Sequence, residues 1–198
     1  MLKIGITGGI GSGKTTVCKV FETLGIPVFY ADTVAKQIMV TDPILVKGVK
    51  EAFGAESYAA DGTLNNKHIA AIVFNQAEEL ARLNELVHPA VFRAFDHWLK
   101  DIPENVPYVL KEAALLFESG SYQMCDQNVL VVAPLEVRLQ RVMQRDGVTE
   151  EQVRARMDKQ LSDEEKTKMA DMVVRNNETD SLIVQVMELH HQFLNILP

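Results

Sequence analysis

The run Gly8-Gly9-Ile10-Gly11-Ser12-Gly13-Lys14-Thr15 has the spacing G-x-x-x-x-G-K-[ST]. Glycines at these intervals let the backbone curl until successive N–H groups converge on one anion, and a helix starting at the end of the run adds the positive end of its dipole. The chemistry this serves is the binding of ATP and transfer of its γ-phosphate: Lys14 reaches the β and γ phosphates and Thr15 offers a hydroxyl to Mg2+. Gly8, Gly9, Gly11, Ser12, Gly13 and Thr16 are the other expected ATP contacts. A dinucleotide-binding fingerprint has no use for the Lys-Thr pair.

Such a loop serves kinases, GTPases and motor ATPases alike, so other positions must choose among them. No Asn-Lys-x-Asp run is present to read guanine; Asn66-Lys67-His68-Ile69 lacks its carboxylate. The segment Val106 to Lys111 ends in Lys111-Glu112, not in the apolar run plus Asp-Glu of a motor ATPase, and Glu112 is placed either to hold Mg2+ through water or to pair with a cation. Asp32 follows the second apolar run and reads in two ways, as the carboxylate that takes the proton of an attacking hydroxyl or as a helix N-cap. Arg138, Arg141 and Arg145 recur at intervals of three and four, along one helical face. They suit a lid that closes over ATP and equally a solvated face paired with Glu136 and Asp146. His88-Pro89 should interrupt a long helical segment, with His88 either capping the junction or touching substrate. Trp98 and the His190-His191 pair read as core or surface.

The elements that must position these groups follow from patterning. Leu2–Thr7 is a short apolar run stopped by glycines, and Val17, Val20, Phe21 and Leu24 repeat at helical spacing until Gly25. That order is strand, loop, helix, the context the glycine-rich motif requires. Further strands are expected at Ile26–Ala31, Val106–Lys111, Asn128–Val132 and Met172–Arg175. Helices are expected from Asp32, over most of residues 42–102 apart from a turn at Tyr58–Gly62, from Pro134 to about Gln144, in two charged pieces between Arg145 and Lys168, and from Ser181 to Leu197. The alternation predicts an α/β fold: a five-stranded parallel sheet of the P-loop NTPase type flanked by helices, with ligands at the carboxyl ends of the strands. The core should comprise about 1–40, 104–140 and 170–198, with a helical insertion at about 41–103 and a helical lid at about 141–169.

A chain of 198 residues, 47% of them hydrophobic, suits one domain with an inserted lobe. Its net charge of −7 disfavours nucleic-acid and anionic-membrane partners. Two widely separated cysteines, Cys18 and Cys125, suggest neither a disulfide framework nor a zinc site and point to a reducing cytoplasm. No export signal or spanning stretch is evident.

Ile4-Gly-Ile-Thr-Gly-Gly-Ile-Gly-Ser-Gly-Lys-Thr15, Ala31-Asp32, His88-Pro89, Leu115-Leu-Phe-Glu118, Arg141-Val-Met-Gln-Arg145-Asp146, Gln160, and Ala170-Asp171 leading to Asn176 together resemble the dephospho-CoA kinase family over nearly the whole chain. The resemblance implies a nucleotide-binding core, a helical CoA-binding domain and a lid. It implies transfer of the ATP γ-phosphate to the ribose 3′-hydroxyl of dephospho-CoA, the last step of coenzyme A synthesis, by a monomer or weak homo-oligomer acting on small molecules. Carried onto matching positions, Asp32, Lys14 and Arg141 are catalytic, Arg145 and Asn176 join the ATP site, and His88, Leu115, Leu116 and Glu118 lie near the acceptor. Two positions depart from the family pattern. Ala114 stands where Pro is usual, which should leave residues 112–118 less restrained, and Arg138 stands where Gln is frequent. Another small-molecule kinase, such as one acting on a nucleoside monophosphate, and a nucleotide-dependent regulator without turnover are the competing readings.

Overall fold

A computed structural model describes residues 1–74, 76–177 and 179–196. Five strands, β1 (Leu2–Thr7), β2 (Val28–Tyr30), β3 (Tyr108–Glu112), β4 (Gln127–Val132) and β5 (Met172–Arg175), form one sheet in the order β2-β3-β1-β4-β5. Every neighbouring pair is parallel, with Ile4 opposite Leu110 on one side of β1 and Ile6 opposite Val129 on the other. The strands read as continuous apolar runs because the inner ones are covered on both faces: all five residues of β3 are buried.

β1 lies between β3 and β4 at the point where the strand order reverses, and in open α/β sheets ligands bind beyond the carboxyl ends of the strands at such a point. The helix α1 (Lys14–Thr23) returns from that end and buries Val17, Cys18 and Phe21. Phe21 meets Tyr108 edge-on at 6.2 Å between ring centroids and stacks against Phe193 of α9 (Leu182–Ile196) at 6.3 Å. These rings join Ile4, Ile6, Val129, Val174 and Val186 in the core. Leu197, the expected end of the last helix, lies outside the described residues.

Two compact units are distinguishable, Met1–Tyr30 with Ile102 onward, and Ala31–Asp101. The second is helical: α2 (Ala31–Thr41), α3 (Pro43–Phe53), a 3₁₀ turn at Ala55–Ser57, α4 (Asn66–Val73) and α5 (Ala77–Lys100). It starts ten residues earlier than the expected insertion because α2 packs Met39 into the cluster of Leu45, Val49, Phe53, Tyr58, Ile69 and Ala90. Asp42 caps α3 by accepting from the N–H groups of Ile44 and Leu45, with Pro43 at the first helical position. The expected break at His88-Pro89 is absent, and α5 runs through it. Pro89 is exposed, so the carbonyl that loses its donor can turn to water. Leu86 and Val87 before the proline and Ala90 after it bury against one cluster.

Returning to the sheet unit, α6 (Leu135–Asp146) leads to α7 (Glu150–Met157) and α8 (Asp163–Met169). The last two are short and polar, and each starts with a capping box, Thr149 with Gln152 and Ser162 with Glu165. Phe21→Ala should cost about 3–5 kcal/mol of stability in urea denaturation; a loss below about 1 kcal/mol would show that the ring cluster is not the centre of this core.

Candidate active site

The glycine-rich loop leaves β1 at Thr7 and enters α1 at Lys14. Gly11 and Gly13 have φ of +79° and +91°, the left-handed region that side chains resist. The loop is also crowded from outside. A Cβ on Gly8 would strike the carbonyl of Val131 and the Ser12 side chain, and one on Gly9 would strike the Arg138 guanidinium. The Ser12 N–H closes back onto the Gly9 carbonyl at 3.0 Å. Its hydroxyl is buried with no hydrogen-bond partner among the described residues, a donor left available at the loop.

Beside the start of α1, the hydroxyl of Thr15 donates to Glu112 Oε1 over 3.3 Å, a partly buried contact. Glu112 ends β3 and is only 6% exposed. Burial raises the Cys18 and Tyr30 pKa values, and the Glu112 charge pushes both further in the same direction. No group of three or more His, Cys, Asp or Glu able to hold a metal occurs among the described residues. A hydroxyl and one carboxylate nevertheless suit Mg2+, which keeps several waters and takes further ligands from phosphate. Glu112, an open question in the sequence, is thus brought to Thr15 by the pairing of β1 with β3.

Asn176 has a structural role at this loop: its amide donates to the Ser12 carbonyl at 2.8 Å while its own N–H is held by the Val132 carbonyl. A Cβ on Gly13 would collide with that amide and lie 3.7 Å from Arg141 Nη1, which places both side chains at the loop's end. The expected arginine stripe divides. Arg141 and Arg145 are exposed, whereas Arg138 is 7% exposed because the loop and α8 pack against it. Arg138 Nε donates to the Ile10 carbonyl at 2.9 Å and Nη1 to Asp163 at 2.8 Å. Arg145 pairs with Asp146, which Arg156 also contacts, and the Arg145 hydrogen bond holds the Asp146 carboxyl below its ordinary range.

The segment after β3 is more restrained than Ala114 led us to expect. Gln160 donates to the Ala114 carbonyl at 3.3 Å, supplying from outside the restraint a proline would have built in. Leu115 is exposed, but Leu116 is fully buried and its side chain packs in the core. Glu118 accepts from the N–H of Leu161 at 3.0 Å and forms an ion pair with the fully buried Lys166, again at 3.0 Å. Asp163 and Lys166 were invisible as site-building residues, since both fall in a stretch whose charge density reads as solvated surface.

In the helical unit, Asp32 is exposed within the first turn of α2 rather than at its N-cap, a position that favours a carboxylate electrostatically. His88 is half-buried in mid-helix, and burial lowers its pKa. The same unit carries an open cavity of about 970 Å³ with Met39, Leu64 and Leu83 on its wall and Lys36, Asp61 and Asn84 supplying polar groups.

Two predictions follow from this geometry. Gly13→Ala should weaken ATP binding by about tenfold or more, measured by calorimetry, because the left-handed conformation and the Asn176 amide both oppose a methyl group; unchanged affinity would mean that the loop conformation is not needed for binding. His88 refuses in the folded state a proton that the unfolded chain accepts near its ordinary pKa of 6.5. Stability should therefore fall as pH drops from 7 through 6.5, and His88→Gln should reduce that slope in urea titrations at successive pH values.

Comparison with known proteins covers most of the chain. The sequence model of the dephospho-CoA kinase family matches residues 2–181. A dephospho-CoA kinase of Salinibacter ruber is 47% identical over 180 residues, 90% of each chain. A crystal structure from Thermus thermophilus superposes with a TM-score of 0.82 at 36% identity, covering 100% of this chain and 98% of the other. The dephospho-CoA kinase of Campylobacter jejuni gives 0.71 at 25% identity, over 98% and 97%. With its phosphate-binding loop at the end of the central strand and a match this extensive, the chain belongs to the dephospho-CoA kinase family.

Proposed function

We propose that this enzyme phosphorylates dephospho-CoA, moving the γ-phosphate of ATP to the ribose 3′-hydroxyl and releasing CoA and ADP. Membership of the family over residues 2–181 supports the acceptor. The observation that carries phosphoryl transfer is the Thr15–Glu112 contact of 3.3 Å at the root of the glycine-rich loop, a hydroxyl and a carboxylate suited to Mg2+. Thr15 and Glu112 would hold the ion, directly or through water, and it would supply positive charge that offsets that of the phosphates.

The chain's own residues do the rest. The loop amides between Gly8 and Thr16, other than those of Ile10, Ser12 and Thr16, which bond within the protein, hold the β and γ phosphates together with the Lys14 ammonium. Arg141, exposed and directed toward the end of the loop, neutralises charge on the transferring group, with Arg145 farther along α6. Arg145 must exchange Asp146 for phosphate to take part. The 3′-oxygen attacks Pγ, the bond from Pγ to the β,γ-bridging oxygen breaks, and the hydroxyl proton passes to the Asp32 carboxylate. The helical unit from Ala31 to Asp101 receives the acceptor, with His88 as its contact; in the sheet unit, Leu115 is the exposed candidate contact. Its cavity, apolar with a few polar groups, suits the long amphipathic arm of dephospho-CoA. Residues 141–169 act as a lid, with most of α7 and its flanks exposed and Val153 buried against Leu139 and Val142 of α6.

No described helix is long and apolar enough to cross a membrane. Two free cysteines, one buried and the other pushed up to about 11 by burial, suit the reducing cytoplasm, where the protein works as a monomer or weak homo-oligomer.

The test is ADP release from ATP and Mg2+ with a panel of acceptors, the product being identified by mass. Turnover on dephospho-CoA is expected; preference for a nucleoside monophosphate, or no turnover on any acceptor, would overturn the proposal. Asp32→Asn should keep ATP affinity within about twofold and lose about 10²- to 10⁴-fold in kcat. A variant that turns over normally would leave Asp32 with only its place in the helix.

A further inference from the structure

Ile10 is held on every side by residues distant in sequence. Its side chain packs against the cluster of Leu139, Val142 and Val153. Its N–H donates to Gln160 Oε1 at 3.0 Å, and its carbonyl accepts from Arg138 Nε at 2.9 Å. Both partners are themselves anchored, Gln160 by its bond to the Ala114 carbonyl at 3.3 Å and Arg138 by Asp163 at 2.8 Å.

Peptide units are planar and trans, so the carbonyl and the N–H of one unit point in opposite directions. Turning the Ile10 N–H toward Gln160 therefore turns the Gly9 carbonyl away from it, and that carbonyl receives the Ser12 N–H at 3.0 Å. Turning the Ile10 carbonyl toward Arg138 likewise sends the Gly11 N–H to the opposite side of the loop. Two side chains thus set two consecutive peptide planes in a stretch whose glycines would otherwise leave them free to rotate. Arg138 is well suited to this, because a planar fork can serve a carbonyl and a carboxylate at once.

We infer that Gln160 and Arg138 are positioning residues of the nucleotide site, which hold the phosphate-binding loop in its receptive shape before ATP arrives. This rests on the reading of that loop as the ATP site. It makes the segment leading into α8 a fixed brace, with the expected lid movement confined to residues before it.

The experiment measures ATP affinity by calorimetry on the full chain without acceptor, alongside steady-state kinetics and thermal melting. Gln160→Met keeps side-chain length at a half-buried site but cannot make the two amide hydrogen bonds. It should weaken ATP binding and raise the ATP KM by about three- to tenfold, with kcat at saturating ATP and the acceptor KM unchanged. Arg138→Met should weaken ATP binding at least as much. Asp163→Asn keeps the Arg138–Ile10 bond but removes the charge that anchors Arg138, so it should weaken ATP binding by clearly less than Arg138→Met does. Wild-type ATP affinity in Gln160→Met, even with a lowered melting temperature, would reduce Gln160 to a structural strut and overturn the inference. So would a loss in Asp163→Asn as large as in Arg138→Met, since the ion pair and not the Ile10 bond would then be responsible. Because binding is read without acceptor, failure of the parent to phosphorylate dephospho-CoA would overturn the kinase reading alone, leaving this comparison decisive.

Discussion

A loop that binds phosphate with its own amides must do without most of the side chains by which loops hold themselves in place. Gly8, Gly9, Gly11 and Gly13 admit the close approach of an anion, but each also adds conformational freedom that the folded state has to remove. In this protein the order comes from outside the loop. Asn176 takes the Ser12 carbonyl, Arg138 the Ile10 carbonyl and Gln160 the Ile10 N–H. Those residues come from the end of β5, from α6 and from the turn before α8, so the loop's shape depends on much of the sheet unit being folded.

The same dependence accounts for the buried charges. Lysine and arginine are rarely buried unless paired, yet Lys111 and Lys166 are fully buried and Arg138 nearly so. Lys166 is paired with Glu118, and Arg138 with Asp163. Buried pairs are weak evidence for net stability, because desolvation offsets much of their attraction. What they do supply is a definite position, since displacing one partner strands the other in a place with little water. They fasten α8 and its approach to residues 114–118 and to the glycine-rich loop.

Several features of the fold were legible from local pattern. The apolar run Leu2–Thr7, the 3.6-residue spacing after Lys14 and the alternation of short β-rich runs with helices each carry their own signal, and the parallel sheet followed. Pro89 misled because the rule that proline ends a helix concerns one backbone bond, while the continuity of α5 rests on apolar positions on both sides of it. The boundary near Ala31 was misplaced because α2 follows β2 without a linker, and only its packing on its neighbours reveals which unit it joins.

By itself the sequence determined the anion-binding loop, with Lys14 and Thr15 at its end, since that chemistry is local: the residues that perform it are neighbours in the chain. It also determined the order of strands and helices and, through scattered motifs, the family resemblance. Only the tertiary structure decided that Thr15 meets Glu112, that Arg138 turns inward from its expected stripe, and that Gln160, Asn176 and Asp163 hold the loop from sequence separations of up to 164 residues or through a buried arginine. A side chain's partner across such distances is set by strand pairing and helix packing, which no window of neighbouring residues encodes.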